Sequence, residues 1–376
     1  MNFFFYFCLM AQPALGKRAP FFLSRSGRGI TTYPVPASGM PCKWITGSNM
    51  LDGFAFHAGQ MLVALLLDGL LGWPAMVFAL IGHPVSWVGR VVSLLDHHWN
   101  CDTQAPFTRR CAGGAVVLVV TGLVGSFGAG LAYVLPHNGV GILAGGVLAW
   151  PLLAARSLYA HVQAVVQPLQ AGDMAEARKA VSMIVGRDPN ALDAAGIARA
   201  AAESLAENTS DGVVAPLFWG VFFGLPGLYV YKAINTMDSM IANRTPRYRL
   251  FGWAAARVDD VVNIPPARLS GMLYVLTSAA PLRAFRVMLR DARGHRSPNA
   301  GWPEAAMAGG LGIRLSGPRL YAEGPSRDPW LNAGAPDPTP LDLAAGLALY
   351  RRVVLLAALI LLMVFLAHTP LDGAGL

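Results

Sequence analysis

The stretch that decides the fold is Glu203 to Gly220, ESLAENTSDGVVAPLFWG, in which three carboxylates stand directly before an apolar run. The apolar residues extend over 212–234 and are interrupted by prolines and glycines: Pro216, Gly224, Pro226 and Gly227. Interrupted helices at membrane depth are tolerated only where protein or a cavity surrounds them. The pattern therefore predicts a broken or re-entrant helix packed around a site, with acids at its entrance.

The composition indicates an integral membrane protein. The chain has 376 residues, of which 54% are hydrophobic and 13% charged, and its mean hydropathy is +0.46. Soluble domains carry about 25% charged residues. The formal net charge is +8, and basic cytoplasmic loops are the usual source of such an excess in membrane proteins. The sequence contains neither an arginine-rich arm nor a basic strand interleaved with aromatics, so nucleic acid is disfavoured as a partner.

Four apolar stretches are predicted to cross the bilayer: residues 61–82, 113–135, 140–155 and 350–368. The turn at 136–139 has no Lys or Arg, whereas basic residues flank this hairpin on both sides, so the flanks are placed in the cytoplasm and the turn outside. The shorter stretch 269–282 is predicted to be a half-helix. The fold class predicted is all-α: a polytopic integral membrane protein with broken or re-entrant helices and cytoplasmic helical loops.

Residues 1–53 differ from the rest of the chain. A short apolar start is followed by a basic segment rich in Pro, Gly and Ser, and the positive region that precedes the apolar part of a signal peptide is missing. We interpret this segment as an atypical extension, either a basic tail or the result of a start placed upstream of Met50 or Met61. Residues 54–368 are expected to form one membrane domain, and residues 369–376 a short tail.

Residues 187–208 have the pattern of a helix that Asp188 caps. At 3.6 residues per turn, Arg199, Glu203 and Glu207 share one narrow stripe of an otherwise apolar surface. An exposed helix would carry a broader polar face, so the stripe indicates charges directed into a pocket, with Arg199 pairing with Glu203. The alternative is a helix of surface salt bridges.

The residues that follow this helix are rich in oxygen. Asn208, Thr209, Ser210 and Asp211 come directly after Glu207. Carboxylate and other oxygen ligands are those that Mg²⁺ prefers. Glu207 and Asp211 are therefore the candidate magnesium ligands.

Two further polar segments follow. With residues 203–211 as the first, we call these three segments the polar islands. Residues 235–268 carry acids at Asp238, Asp259 and Asp260, amides at Asn235 and Asn263, and arginines at Arg244, Arg247, Arg257 and Arg268. Arginine forks recognise phosphate and carboxylate groups; the alternative is an ordinary positive cytoplasmic loop. Residues 295–315 carry Ser297, Asn299 and Glu304, and Pro303 opens a helix whose free N–H groups suit an anion.

Two other polar groups have competing interpretations. Asp68 lies inside the first apolar stretch, and it is either a functional intramembrane acid or a helix-end carboxylate at the interface. His97 and His98 lie near Asp96 and Cys101, but adjacent histidines point in different directions on a helix, so a zinc site is disfavoured. Neither a phosphate-binding G-x-x-x-x-G-K-[ST] loop nor an H-E-x-x-H motif occurs.

The three islands together, with LLLDGLLGWP and HPVSWVGR ahead of them, closely resemble the CobD/CbiB family of cobalamin biosynthesis. The likeness extends from about Met61 to Pro336, and its motifs are long and in the family's order. Trp73 stands where the family pattern has an Asp, which puts any role of that one acid in doubt.

The resemblance implies a membrane enzyme, an adenosylcobinamide-phosphate synthase. Such an enzyme joins the corrinoid adenosylcobyric acid to (R)-1-amino-2-propanol or its O-phosphate through an amide bond. ATP and Mg²⁺ are the expected cofactors, and neither zinc nor haem is expected. The expected location is the inner cell membrane, with the active site facing the cytoplasm. Membrane lipid and other enzymes of the cobalamin pathway are expected partners.

The site residues are assigned as groups. The catalytic set is Glu203, Glu207, Asp211, Asp238, Asp259 and Asp260, with Glu207 and Asp211 as magnesium ligands. The substrate-binding set is Asn208, Asn235, Arg244, Arg247, Tyr248, Arg257, Asn263, Arg268, Ser297, Asn299 and Glu304. A membrane transporter and a scaffold for enzymes that act on corrinoids are the alternative functions, and the phosphorylation of the amine stays open.

Overall fold

The fold is almost entirely helical. A computed structural model of the protein describes residues 47–185, 192–243, 245–318, 320–321, 324–325 and 328–367. The first half of this part contains seven helices: α1 (Gly47–Leu71), α2 (Ala75–Ile81), α3 (Pro84–Trp99), α4 (Pro106–Val134), α5 (Gly139–Ala149), α6 (Ala155–Gln170) and α7 (Met174–Ser182). A short 3-10 turn, Trp150–Leu152, joins α5 to α6.

The second half carries the polar islands. Its helices are α8 (Ala194–Thr209), α9 (Ala215–Ile241), α10 (Tyr248–Phe251), α11 (Trp253–Val262), α12 (Ile264–Thr277), α13 (Pro281–Asp291), α14 (Gly301–Leu311) and α15 (Pro340–Ala367). A π-helical turn, Ser210–Val214, joins α8 to α9, and a 3-10 turn, Ala292–Gly294, follows α13. Two antiparallel pairs of two-residue strands precede α15: β1 (Leu315–Ser316) with β4 (Trp330–Leu331), and β2 (Leu320–Tyr321) with β3 (Gly324–Pro325).

Six segments of the described chain are long and apolar enough to cross a membrane. They cover Leu51–Leu71, Ala75–Trp99, Pro106–Val134, Gly139–Gln170, Ala194–Ile241 and Pro340–Ala367. The predicted all-α, polytopic membrane fold is confirmed. The interpretations of residues 1–46 and 368–376 concern residues outside the described part.

The predicted span over residues 61–82 was wrong. The helix ends at Leu71, Gly72 takes a left-handed φ of 61°, and Pro74 leads into α2. Glycine adopts that conformation at little steric penalty, and proline lacks the N–H that would continue the helix. The sequence stays apolar across this corner, which is why hydropathy alone did not reveal it. The apolar stretch is in fact divided between two spans.

The predicted break in residues 212–234 is confirmed and proves to be a reversal. Gly224 has a φ of 63° and a ψ of −151°, which no helix contains. The Tyr231 hydroxyl lies 3.2 Å from the Asp211 carbonyl oxygen. In a straight helix, residues this far apart in the chain would be separated by about 30 Å. The chain after Gly224 therefore folds back along the chain before it.

Asp68 belongs to the junction of two helices. Its Oδ2 accepts a hydrogen bond from the backbone N–H of Arg156 (3.0 Å) in the first turn of α6. The Arg156 guanidinium donates to the carbonyl oxygens of Gly69 (3.2 Å) and Leu70 (2.6 Å) at the end of α1. Each side chain satisfies the free backbone groups of the other helix. Of the two interpretations of Asp68, these contacts match the helix-end carboxylate.

The start of α8 also differs from expectation. Asp193 caps this helix by accepting a hydrogen bond from the Gly196 N–H at 2.7 Å. The predicted cap, Asp188, lies outside the described residues. The helix therefore begins at Ala194, later than the sequence pattern indicated.

The returning half of α9 runs beside α4. A Cβ at Gly128 would lie 2.9 Å from the Pro226 Cα, near the carboxyl end of α4. Near the amino end of α4, a Cβ at Gly113 would lie in contact with the backbone of Phe251 in α10, and a Cβ at Gly252 would lie in contact with the backbone of Ile241 at the end of α9. The end of α9 and the basic start of α4 are therefore joined through α10.

The pair Gly113 and Gly114 tests this packing. We expect Gly113→Ala to lower the melting temperature in detergent, because overpacking against backbone costs about 1–3 kcal/mol. Gly114→Ala is the matched control, since nothing lies within 4 Å of its Cβ position and Ala favours a helix. Thermal unfolding of both variants measures the difference, and equal melting temperatures would contradict the close approach.

Candidate active site

Five carboxylates from three segments form what we call the carboxylate cluster: Glu207, Asp211, Asp238, Asp259 and Asp260. Glu207 and Asp238 act electrostatically on Asp211, and Asp260 and Glu207 act on Asp238. Asp238, Asp211 and Asp260 act on Asp259. Glu207 ends α8, Asp211 lies in the π turn, Asp238 is near the end of α9, and the other two lie in α11. The reversal at Gly224 thus brings together acids that the sequence separates.

A hydrogen-bonded bridge holds the π turn against α11. The Tyr231 hydroxyl lies 3.2 Å from the Asp211 carbonyl oxygen and 3.0 Å from Asn263 Oδ1, and it can donate to either. The Asn263 amide donates to Asp259 Oδ2 at 3.0 Å. Asn263 lies four residues after Asp259, one helical turn along the chain. The first and second islands therefore meet through buried polar groups, which stabilise a structure only when paired.

Asp259 has an unusual environment. One of its carboxylate oxygens, Oδ1, is shielded from solvent and has no hydrogen-bond partner. Burial raises the pKa of Asp259 well above its usual range, and the charges of Asp238 and Asp211 raise it further. The hydrogen bond from Asn263 opposes that shift. A carboxyl group of raised pKa holds its proton to higher pH than an ordinary one, and once ionised it is the stronger base, so it is suited to general acid–base catalysis.

The second and third islands meet at Asn299. Its amide donates to the Asp260 carbonyl oxygen at 2.7 Å, and its Oδ1 accepts from the Arg268 guanidinium at 2.8 Å. Arg268 also stacks over Trp302, 4.6 Å from the ring centre. Arg257 pairs with Asp260, three residues later, at 3.1 Å. Two arginines thus border the carboxylate cluster on the side of α12 and α14.

Arg268 has a second arginine, Arg293, near it. Burial and the neighbouring Arg293 lower the pKa of the Arg268 guanidinium. The Ser297 hydroxyl accepts hydrogen bonds from the N–H groups of Asn299 (3.3 Å) and Ala300 (3.2 Å). Ser297 therefore shapes the turn before α14. Two neighbouring guanidinium groups favour an anion between them.

Glu304 is fully enclosed in α14. It is 3% exposed, and its Oε2 lies 3.6 Å from Nε2 of His295. This contact ties α14 to the loop that carries Ser297. The position supports the loop rather than facing the carboxylate cluster directly.

Glu203 faces a different part of the molecule. Its Oε1 accepts a hydrogen bond from the Ser316 N–H in β1 at 2.7 Å. Arg199 pairs with Asp337 at 3.0 Å and stacks on Trp330, so the predicted pairing of Arg199 with Glu203 was wrong. Asp337 also pairs with Arg314, and it lies far along the chain, where helical spacing gives no indication of it. Of the three residues in the stripe on α8, only Glu207 belongs to the carboxylate cluster. Arg199 and Glu203 contact the segment around β1 and β4 instead.

Arg247 and Tyr248 are engaged with α3. The Arg247 guanidinium donates to Asp96 Oδ2 at 3.0 Å, and the Tyr248 hydroxyl donates to the same oxygen at 3.2 Å. Arg109 in α4 donates to the Arg247 carbonyl oxygen (2.6 Å) and to Asn100. These bonds fix the loop between α9 and α10. Arg244 in that loop lies outside the described residues.

Two predicted substrate amides are buried. The Asn208 amide donates to the Ser204 carbonyl oxygen on its own helix at 2.8 Å. The Asn235 amide nitrogen is shielded from solvent and has no hydrogen-bond partner. Asn235 precedes Asp238 by one helical turn, so this unpaired group lies near the carboxylate cluster. An unpaired buried amide calls for an explanation, and an incoming ligand would supply its partner.

The carboxylates suit a magnesium ion only in part. Within the described residues, no three His, Cys, Asp or Glu side chains converge as a metal site. Mg²⁺ is usually held by one or two carboxylates together with substrate phosphates. Glu207 and Asp211 would suit a magnesium ion that is held by two carboxylates together with substrate phosphates, because carboxylate oxygens are the hard ligands that Mg²⁺ prefers.

Sequence reasoning missed Lys232. It is 4% exposed in the returning half of α9, and its charge acts on Asp211 and on His83. It also lines a cavity of about 440 Å³, whose other walls are almost wholly apolar and include Trp73, Trp87 and Phe127. A lysine inside an apolar run was the available signal, since an intramembrane charge is a functional candidate by default.

Comparisons with known proteins cover most of the chain. A family model described as CobD/Cbib protein matches residues 61–350. A cobalamin biosynthesis protein CobD from Rhodobacter capsulatus is 57% identical over 297 residues, which are 79% of this chain and 94% of that protein. Proteins of the same name from Brucella suis (48% identical, 77% of this chain and 90% of that protein) and Sinorhizobium sp (44%, 77% and 92%) are also similar. No solved structure matches the chain significantly.

The raised pKa of Asp259 predicts a pH-dependent stability. Between the ordinary pKa of aspartate, about 4, and the raised value, the folded protein holds a proton that the unfolded chain releases, so stability falls as pH rises. We expect the melting temperature of Asp259→Asn to decrease less with pH than that of the wild type. The difference between variant and wild type should therefore shift in favour of the variant between pH 5 and pH 8. Thermal unfolding in detergent across this range measures the difference.

Glu176→Gln serves as the control, because its exposed pair with Lys179 contributes little. A gap between Asp259→Asn and wild type that stays constant with pH would contradict the assignment.

Proposed function

This chain belongs to the CobD/CbiB family of cobalamin biosynthesis proteins, and we propose that it is an ATP-dependent amide ligase. Its substrates are adenosylcobyric acid and (R)-1-amino-2-propanol or the O-phosphate of that amine. The amide forms at the free propionate of the corrin ring, giving adenosylcobinamide or its phosphate. The observation that carries this proposal is the carboxylate cluster, which three segments of chain build beside two arginines.

The reaction needs activation because a carboxylate does not react with an amine at neutral pH. A propionate oxygen attacks the γ-phosphorus of ATP, ADP leaves, and an acyl phosphate forms. The amine nitrogen then attacks the acyl carbon, phosphate leaves, and the nitrogen loses a proton. The protein must therefore bind phosphates, orient two substrates and accept that proton.

Asp259 is the best candidate for the proton acceptor. Burial and neighbouring acids raise its pKa, so its ionised form is a stronger base than an ordinary carboxylate, and one of its oxygens has no partner in the folded chain. An ammonium substrate approaching the carboxylate cluster would be attracted by the same acids. Asn263 orients the carboxyl group through its other oxygen.

Glu207 and Asp211 would hold Mg²⁺ together with nucleotide phosphates. Bound there, the ion would offset the charge that develops during phosphoryl transfer. Glu207 is exposed at the end of α8, where a nucleotide can reach it, and Asp211 lies deeper. Glu207 is thus the carboxylate of the pair that meets solvent.

Arg257 and Arg268 are assigned to anionic groups. Arg257 is exposed and pairs with Asp260, and Arg268 lies beside Arg293. Guanidinium forks suit phosphate oxygens and the propionate carboxylate. Arg268 is held by Asn299 and Trp302, so it is already oriented before any anion arrives.

We propose that the site faces the cytoplasm from the inner membrane. Asp238 lies near the end of α9, which is joined through α10 to the start of α4, and that start carries Arg109 and Arg110. The opposite end of α4 leads into residues 135–138, which have no Lys or Arg. The positive-inside rule assigns the arginine end to the cytoplasm, where ATP is available.

An assay of the purified protein in detergent tests the reaction. It contains adenosylcobyric acid, ATP, Mg²⁺ and one of the two amines, with products identified by mass spectrometry. We expect an amide product from one amine and ADP in equal amount. Omission of ATP should abolish product. Folded protein that makes no amide from either amine would overturn the ligase and favour a scaffold role.

Glu207→Gln tests the site within that assay. We expect turnover to fall by at least about 100-fold, since removing one electrostatic group from such a site has that effect. The variant should keep its melting temperature, because Glu207 is exposed. Glu176→Gln, an exposed carboxylate on α7, is the matched control and should keep full turnover. Near-normal turnover of Glu207→Gln would refute the assignment of this carboxylate.

A further inference from the structure

Three polar atoms in the segments that build the carboxylate cluster are shielded from solvent and have no hydrogen-bond partner among the described residues. They are Ser210 Oγ in the π turn, Asn235 Nδ2 in the returning half of α9, and Asp259 Oδ1 in α11. Ser210 is 2% exposed and Asn235 is 4% exposed. Burying a polar group without a partner is unfavourable. Three such atoms in neighbouring segments indicate a site that a ligand completes.

The bridge through Tyr231 joins the three segments that carry these atoms. The Tyr231 hydroxyl lies 3.2 Å from the Asp211 carbonyl oxygen in the π turn and 3.0 Å from Asn263 Oδ1. Asn263 donates to Asp259 Oδ2 at 3.0 Å, so the other oxygen of that carboxyl group is the unpaired one. Asn235 follows Tyr231 by four residues and therefore lies one turn further along the same face of α9.

Ser210 differs from other buried hydroxyl groups near it. The Thr209 hydroxyl donates to the Leu205 carbonyl oxygen, four residues earlier, at 2.6 Å. The Ser270 hydroxyl in α12 donates to the Pro266 carbonyl oxygen in the same way, at 2.8 Å. Ser210 opens the π turn and makes no such bond, and π turns occur frequently at functional sites. Its hydroxyl is therefore available to an atom that the chain does not supply.

The three atoms have the chemical types that amide formation requires. When the neutral amine attacks the acyl phosphate, the electron pair of the carbonyl double bond moves to the acyl oxygen, which becomes negatively charged. The nitrogen loses a proton, the carbonyl re-forms, and the bond from carbon to the phosphate oxygen breaks. The Asn235 amide and the Ser210 hydroxyl are hydrogen-bond donors for the charged oxygen, and Asp259 Oδ1 is an acceptor for the proton.

We propose that Asn235 and Ser210 form the oxyanion site of the amide-forming step, in which Asn235 Nδ2 and Ser210 Oγ donate hydrogen bonds to the acyl oxygen of the activated propionate. This inference deepens the proposed ligase function and rests on it. The neighbouring carboxylates repel an oxyanion, so that oxygen needs donors directly beside it. Donors fixed in a buried site stabilise developing charge more than water does. A propionate is a narrow arm of the corrin ring, and it can enter a buried site while the ring stays outside.

Thermal unfolding in detergent, without substrate, tests whether the two donors are unpaired. Asn235→Leu and Ser210→Ala remove polar atoms that have no partner, so we expect each variant to keep its melting temperature or raise it by up to about 4 °C. Ser270→Ala is the matched control. It removes a buried hydroxyl that is hydrogen-bonded, and its melting temperature should fall by about 2–4 °C.

Ser210→Ala only removes an atom, so it decides this test if the larger leucine at position 235 does not fit. A loss in Ser210→Ala as large as that in Ser270→Ala would overturn the proposal, because the hydroxyl would then be paired within the folded protein.

Single-turnover assays of the full-length protein test the oxyanion role by following ADP and amide separately. We expect Asn235→Leu to slow amide formation by about 100- to 1,000-fold, which is the effect of removing one oxyanion donor. Ser210→Ala should slow the same step. In both variants ADP should form at nearly the wild-type rate, since activation of the propionate precedes the step that needs the donors. Ser270→Ala should form ADP and amide as the wild type does.

The outcomes separate this inference from the proposed function. Equal slowing of ADP and amide formation would assign the two residues to the activation step and overturn the oxyanion role. Unchanged amide formation in both variants would also overturn it. Wild-type protein that forms no amide would instead refute the ligase itself, and the oxyanion role with it.

Discussion

The reversal of the chain at Gly224 is the constraint on which the site depends. An uninterrupted helix would hold Asp211 and Tyr231 about 30 Å apart, whereas their hydrogen bond closes that gap to 3.2 Å. The half of α9 that follows Gly224 therefore runs back toward the π turn. Acids from the end of α8 and the end of α9 then share one place, and α11 adds two more. Gly128 and Gly125 of α4 allow the returning half to approach closely, at Pro226 and Val230.

Much of this arrangement was accessible from the sequence. Prolines and glycines inside an apolar run predicted a broken helix. Charges beside apolar runs identified the acids now found together. Such patterns are predictive because they depend on backbone geometry over only a few consecutive residues.

Other features were not accessible because they depend on residues distant in the chain. Arg199 was assigned to Glu203, one turn away, but Asp337 is its partner. The corner at Gly72 was missed because hydropathy measures transfer to lipid and not the direction of the chain. Lys232 was overlooked because its neighbours in the sequence are apolar, and its burial became visible only in the folded chain. The long family motifs indicated which islands belong together, but not which side chains within them touch.

The junction between Asp68 and Arg156 has a consequence for how the protein is assembled during synthesis. The first span carries no Lys or Arg between Leu51 and Leu71, so its own residues give little information about which end faces the cytoplasm. Its carboxyl end is fixed by a residue that emerges from the ribosome only after α4 and α5 have been made. The packing of the first helix against α6 is therefore completed only late in synthesis.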